Sequence, residues 1–188
     1  MTLADISRLE AIQDAAAEFV MDEEAFRAFY DRNARGVWAY LVRLTGNRNS
    51  ADDLLQETFY RFLRAAADHD DETHRRNSLY RIATNLARDA RRRSLLRPAA
   101  WLGGDSIERM PADGAENSRR ETPELRRAFL SQAMGLLKPR ERAMLWLAYA
   151  EGASHREIAK ILGLKPASMK PLLFRARRRL AALLGVKS

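Results

Sequence analysis

Apolar residues recur every three or four positions along most of this chain, the spacing of amphipathic helices. Phe26, Phe29, Tyr30, Val37, Tyr40, Leu41 and Leu44 predict a helix over 22–45. Gly46-Asn47-Arg48-Asn49 is a turn signal. Ser50 is placed to cap the next helix, with Asp52 and Asp53 in its first turn, where the helix dipole favours acids. Leu54, Leu55, Thr58, Phe59, Phe62 and Leu63 form that helix's apolar stripe. Residues 68–77 are polar and predict a loop, and a third helix runs from about Ser78 to Ser94 with Leu79, Ile82, Ala83 and Leu86 inward.

The periodicity stops over 95–123, which holds Pro98, Gly103, Gly104, Pro111, Gly114 and Pro123 amid scattered charge and reads as a linker. Trp101 and Leu102 are its bulky apolar cluster and are candidates to dock on a neighbour. Helical spacing resumes over 124–137 (Leu125, Phe129, Met134, Leu137) and over Arg140–Ala150. Residues 1–20 form a weak amphipathic pattern that a partner could order. There is no strand pattern and no internal repeat. The expected fold is all-α: two small helical domains, 22–97 and 124–188, joined by a flexible linker over 98–123 and preceded by an extension over 1–21.

The last third carries the sharpest local signal. Ser154 can cap a short helix whose apolar face is Ile158, Ala159, Ile161 and Leu162, and Gly163 can take the left-handed conformation that closes it. Lys165 and Pro166 then open a second helix, with proline where its missing N–H costs least. Two helices joined by a short glycine-containing turn make the unit that lays its second helix in the DNA major groove. Arg175, Arg177, Arg178 and Arg179 follow, and four neighbouring arginines cannot all be buried.

Charge separates along the chain. The formal net charge is +8, made of −3 over residues 1–67, +3 over 68–97, −2 over 98–123 and +10 over 124–188. A polyanion is expected at the C-terminal segment and near the arginines around residue 90, and a different partner at the acidic front half. With no cysteine, a disulfide framework, a thiolate metal site and a thiol sensor are excluded. His69, His74 and His155 show no metal-ligand spacing, so no cofactor is expected. No apolar run reaches the ~20 residues of a membrane span and the N-terminus lacks a basic leader, so a cytoplasmic protein without membrane insertion is expected.

Two further constellations stand out. Asp52-Asp53-Leu54-Leu55-Gln56-Glu57-Thr58-Phe59 is, by periodicity alone, a capped helix with a solvated acidic face. In Leu79-Tyr80-Arg81-Ile82-Ala83-Thr84-Asn85-Leu86-Ala87-Arg88-Asp89, Arg81, Asn85, Arg88 and Arg92 share one face, opposite the apolar one. Such a face can hold phosphates and hydrogen-bond base edges, or it can simply be solvated.

In this order the pieces resemble the extracytoplasmic-function (ECF) sigma factors of bacteria, small members of the sigma-seventy family built from the second and fourth sigma domains and a linker. The resemblance covers about 22–96 and 124–184. It implies a non-enzymatic transcription initiation factor that binds core RNA polymerase, directs it to promoter DNA and assists melting, with an anti-sigma factor as a further partner. It assigns polymerase docking to Asp53, Gln56 and Glu57, and −10 recognition to Arg81, Asn85, Arg88 and Arg92. It assigns −35 recognition to Lys165, Ser168, Lys170, Phe174, Arg175 and Arg178. The chain departs from the family pattern at Ser78, where an aromatic residue is usual, and at Pro171 and Leu172, where serine and arginine are usual. Pro171 is expected to kink or reset the recognition helix. The residues leave two other readings open: a dimeric helix-turn-helix regulator that binds an operator without polymerase, and an adaptor whose basic helix binds protein. A recombinase would need a serine, tyrosine or carboxylate site that the sequence does not offer.

Overall fold

The computed structural model describes residues 21–65, 71–96 and 122–185. The first domain is three helices: α1 (Glu23–Thr45), α2 (Arg48–Arg64) and α3 (Glu72–Leu96). The second comprises α4 (Pro123–Leu136), α5 (Pro139–Tyr149), α6 (His155–Leu162), a 3₁₀ turn (Pro166–Ser168) and α7 (Met169–Leu183). No strand occurs among the described residues. Trp101 and Leu102, the linker body and residues 1–20 lie outside them.

Local chemistry sets the helix ends. The Asp22 carboxylate accepts the Ala25 N–H at 2.7 Å, and Glu23 and Glu24 sit in the positive first turn of α1. Gly46 closes α1 at φ 73°, in the left-handed region glycine enters without a Cβ clash. Asn47, not Ser50, caps α2: its side-chain oxygen accepts the Ser50 N–H at 2.8 Å, so Ser50 is already helical. Residues 72–77, expected as loop, are the first turns of α3. There Asp71 Oδ1 accepts the Thr73 N–H at 3.1 Å, which starts the helix from a polar stretch.

The first domain's core is aromatic. Phe29 stacks on Phe62 at 5.0 Å between ring centroids, and Phe59 meets Phe29 edge-on at 6.5 Å. Tyr40 and Tyr80 meet edge-on at 5.3 Å, and the Tyr40 hydroxyl pairs with Thr84 Oγ1 at 2.8 Å. Burial pushes the Tyr40 phenol well above its ordinary pKa, so it stays neutral. The second domain's core is aliphatic: Met144, Leu147, Ile158, Ile161, Met169 and Leu173 are buried. Leu125 and Phe129, two of the apolar positions that mark the helical spacing of α4, are about half exposed at 45% and 54%.

The two domains are in contact. α3 packs against α6, α1 packs against α5, and the buried residues of both form one continuous core.

Candidate polymerase and nucleic-acid interfaces

The acidic surface is built on α2. Buried Leu54, Thr58, Phe59 and Phe62 hold one side of the helix against the core, which leaves Asp53 and Gln56 exposed. Glu57 is half-buried and pairs with Arg61 Nε at 2.6 Å. An exposed i,i+4 pair contributes only ~0.3–0.5 kcal/mol, so Glu57 can exchange Arg61 for another cation. Asp52 differs from its neighbour: it accepts the Trp38 indole N–H at 2.6 Å and pins α2 to α1. Exposed Tyr60 lies on the same helix, with the Arg64 guanidinium 5.7 Å from its ring. Acids beside an exposed aromatic suit a protein partner.

The first basic surface is on α3. Leu79, Tyr80, Ala83, Leu86 and Ala87 bury one side of the helix. The other side carries Arg81, Asn85 and Arg88, which line one wall of a cleft of about 370 Å³. Lys160, Ile161, Leu162 and Gly163, from the end of α6, line the opposite wall. Arg92 does not join them; it is exposed and stands 3.5 Å from Asp89.

The second basic surface is the helix-turn-helix. Ser154 caps α6 in a reciprocal box: its hydroxyl accepts the Glu157 N–H at 3.3 Å, and the Glu157 carboxylate accepts the Ser154 N–H at 2.7 Å. Gly163 closes α6 at φ 66°. Pro166 opens a 3₁₀ turn, and the α-helix proper begins at Met169. Pro171 therefore falls in the first turn of α7, where backbone N–H groups lack helical partners anyway. It resets the helix and does not kink it. Lys165, Lys170, Phe174, Arg175 and Arg178 are exposed, and Ser168 is half-buried. The Arg178 guanidinium lies 6.0 Å from the Phe174 ring. Two of the four arginines are tied back to α5: Arg177 donates to the Tyr149 hydroxyl at 3.2 Å, and Arg179 stands 3.7 Å from Glu141.

Sequence reasoning missed the residues that join the domains. The Arg142 guanidinium donates to the carbonyls of Arg43 on α1, Gly135 (2.6 Å) and Leu137 (3.1 Å). Burial, first, and the nearby Arg91 and Arg43 charges lower the Arg142 pKa, but it remains a cation. Arg43 donates to Ser131 Oγ and lies 5.9 Å from the Trp146 ring. Glu151, between α5 and α6, is met by Arg76 and Tyr80 of α3. A local signal for the contacts around Glu151 is Gly36, an isolated glycine inside a helical pattern.

The family model Sigma-70 region 2 matches residues 29–95, which contain the acidic helix and the α3 face, and Sigma-70, region 4, matches 127–180. The chain is 30% identical to the ECF RNA polymerase sigma factor SigL of Mycobacterium tuberculosis over 172 residues, 88% of this chain and 90% of SigL. The chain belongs to the ECF RNA polymerase sigma factors. It is also 33% identical, over 88% of its length, to the sigma factor SigE of Mycolicibacterium smegmatis, but spans only 62% of that longer protein. Among solved structures, CnrH in complex with the cytosolic domain of CnrY superposes with a TM-score of 0.63 at 27% identity, covering 93% of this chain and 96% of CnrH. In sigma-factor terms, α2 and α3 belong to region 2 and the helix-turn-helix to region 4. No helix among the described residues is long and apolar enough to cross a membrane.

Proposed function

We propose that this sigma factor binds core RNA polymerase and directs it to promoters, with α2 as the polymerase-docking helix, α3 as the reader of the −10 element and α7 as the reader of the −35 element. The observation that carries this reading is the separation of surfaces within one chain. An acidic face with an exposed tyrosine lies on α2, and basic faces lie on α3 and α7, in the regions that match sigma regions 2 and 4. Asp53, Gln56 and Glu57 dock on polymerase. Arg81, Asn85 and Arg88 serve the melted −10 strand, with Arg92 as a phosphate contact. Lys165, Ser168, Lys170, Phe174, Arg175 and Arg178 serve the −35 duplex. The units behind these surfaces are 22–97 and 124–188, with 98–123 as the connection. The initiation factor acts in the cytoplasm, without a chemical step of its own. An anti-sigma factor is its second protein partner, as CnrH is bound by the cytosolic domain of CnrY.

Purified chain mixed with core polymerase tests this directly. Co-elution and new start sites in run-off transcription are expected. Glu57→Lys should weaken co-elution by several kcal/mol while helicity stays native, because a reversed charge meets like charge across the interface. A protein that ignores polymerase and footprints a palindrome as a dimer would instead be an operator-binding regulator.

A further inference from the structure

The outward face of α2 runs past the residues assigned to polymerase docking, and its centre is aromatic. Successive helical residues are ~100° apart, so positions seven and eleven residues on return to nearly the same side. Asp53, Tyr60 and Arg64 therefore form one line along α2, with Gln56 and Glu57 on either side of it. Buried Phe62 lies on the opposite side of the helix, which puts this line in the middle of the exposed face.

Tyr60 is 55% exposed, and Arg64 is its polar partner among the described residues. Arg64 Nη1 donates to the Tyr60 hydroxyl at 3.0 Å, and the guanidinium lies 5.7 Å from the ring. A single exposed tyrosine is ordinary on a protein surface. This one is set apart by two observations. It stands in line with the docking residues, and its side chain is already held by a hydrogen bond and a cation–π contact. A side chain fixed before binding has less rotamer freedom to lose on binding. Because the arginine is the donor, the phenol keeps its own O–H to give to a partner.

We propose that Tyr60 is the anchor of the polymerase contact, seating its ring in an apolar pocket on core polymerase that presents a hydrogen-bond acceptor to the hydroxyl, with Arg64 as the residue that positions the ring. The proposal rests on α2 being the polymerase-docking helix. Charge then orders the face. Asp53 and Glu57 meet cations on polymerase, and Tyr60 meets its pocket ~10 Å along the helix from Asp53. Aromatic residues at the centre of an interface hold most of its affinity, whereas charges at the rim chiefly govern encounter. The acids steer α2 to its place and Tyr60 keeps it there. A reversed α2 would lay Arg61 and Arg64 on the cations that face Asp53 and Glu57, so the same order of charge fixes the direction of docking.

Full-length variants binding to surface-immobilised core polymerase give association and dissociation rates separately. Tyr60→Ala should weaken binding about 30-fold, nearly all of it as faster dissociation, the size of an aromatic hot spot. Tyr60→Phe keeps the ring and loses the O–H, and should weaken binding about fivefold. Arg64→Ala should weaken it about fivefold alone and add nothing in the Tyr60→Ala background, since it acts through the ring. Asp53→Ala should instead slow association at low salt. Tyr60→Ala should keep wild-type helicity and urea midpoint, because Tyr60 is no part of the core. A wild-type dissociation rate in Tyr60→Ala would overturn the anchor, and additive losses in the double variant would overturn the positioning role of Arg64. The failure of the α2 assignment looks different: Glu57→Lys and Tyr60→Ala would then both bind polymerase as wild type does, whereas a weakened Glu57→Lys beside an unchanged Tyr60→Ala sinks the anchor alone.

Discussion

The two basic faces of this sigma factor use similar chemistry in opposite settings. On α3, the exposed Arg81, Asn85 and Arg88 line an open cleft with Lys160 on its other wall. On α7, Lys170, Phe174, Arg175 and Arg178 face solvent. The difference follows from what lies behind each face. α3 is clamped between its own domain's aromatic core and α6, so its polar side opens into the junction. α7 buries Met169, Leu173 and Ala176 on one side, ties Arg177 and Arg179 back to α5, and leaves Lys170, Phe174, Arg175 and Arg178 exposed. The same residue types thus stand across from a second protein wall on α3 and from none on α7, although all of them are exposed.

Substitutions on α3 should have the larger effect, and only within the polymerase complex. Asn85→Ala and Arg88→Ala are expected to weaken open-complex formation by ~1–3 kcal/mol each, the size of a base-reading contact, while polymerase affinity stays at the wild-type value. Permanganate reactivity of the melted strand reads the first quantity and co-elution the second. Equal melting by wild type and both variants would erase the distinction between the faces, because α3 would then be merely solvated.

On α7 the expected effects are smaller and divide by residue. Arg178 rests on Phe174, while Arg175 makes none of the contacts that hold Arg177, Arg178 and Arg179. Arg178→Ala should lower the slope of log K against log salt by about one unit, alike for every sequence, as loss of one phosphate contact does. Lys170→Ala and Arg175→Ala should instead relax preference at particular bases. A salt titration of −35 duplex binding by all three variants separates the two behaviours. Sequence preference altered by Arg178→Ala alone would mean that α7 enters the groove in another register.

The helix-turn-helix was legible in the sequence because its determinants are local: Ser154, Glu157 and Gly163 make their contacts within a few residues of chain. The apolar stripes of α1 to α3 were legible for the same reason. The start of α3 was not. Arg76 and Asn77 look like loop residues because they are polar, and the structure explains their polarity by partners 75 and 80 positions away, Glu151 and Glu157. Arg142 likewise read as one basic residue among many, although its guanidinium caps carbonyls on two other elements. Of the α3 site, Arg81, Asn85 and Arg88 were found by helical spacing, but the wall they face was not, since no spacing rule relates residue 85 to residue 160. Ser50 was mistaken for the α2 cap because Asn47, an equally good cap, stands one turn earlier.

Glu157 ties the two settings together, and acid should loosen it. Its carboxyl pKa is held below the ordinary glutamate value by the Ser154 hydroxyl, then by the Ser154 backbone N–H, with Asn77 and the Arg76 charge adding and desolvation opposing. A carboxyl whose folded pKa is depressed contributes stability that is fully present above its unfolded pKa and is lost as pH falls through the folded one. Glu157→Gln should therefore be less stable than wild type at neutral pH, and the gap should close below the ordinary glutamate range. Ser154→Ala should cost about 1 kcal/mol at neutral pH, the usual loss on removing a helix cap. Urea unfolding of the three proteins at neutral and acid pH measures both. A gap between wild type and Glu157→Gln that does not change with pH would show that the carboxylate's charge is irrelevant there.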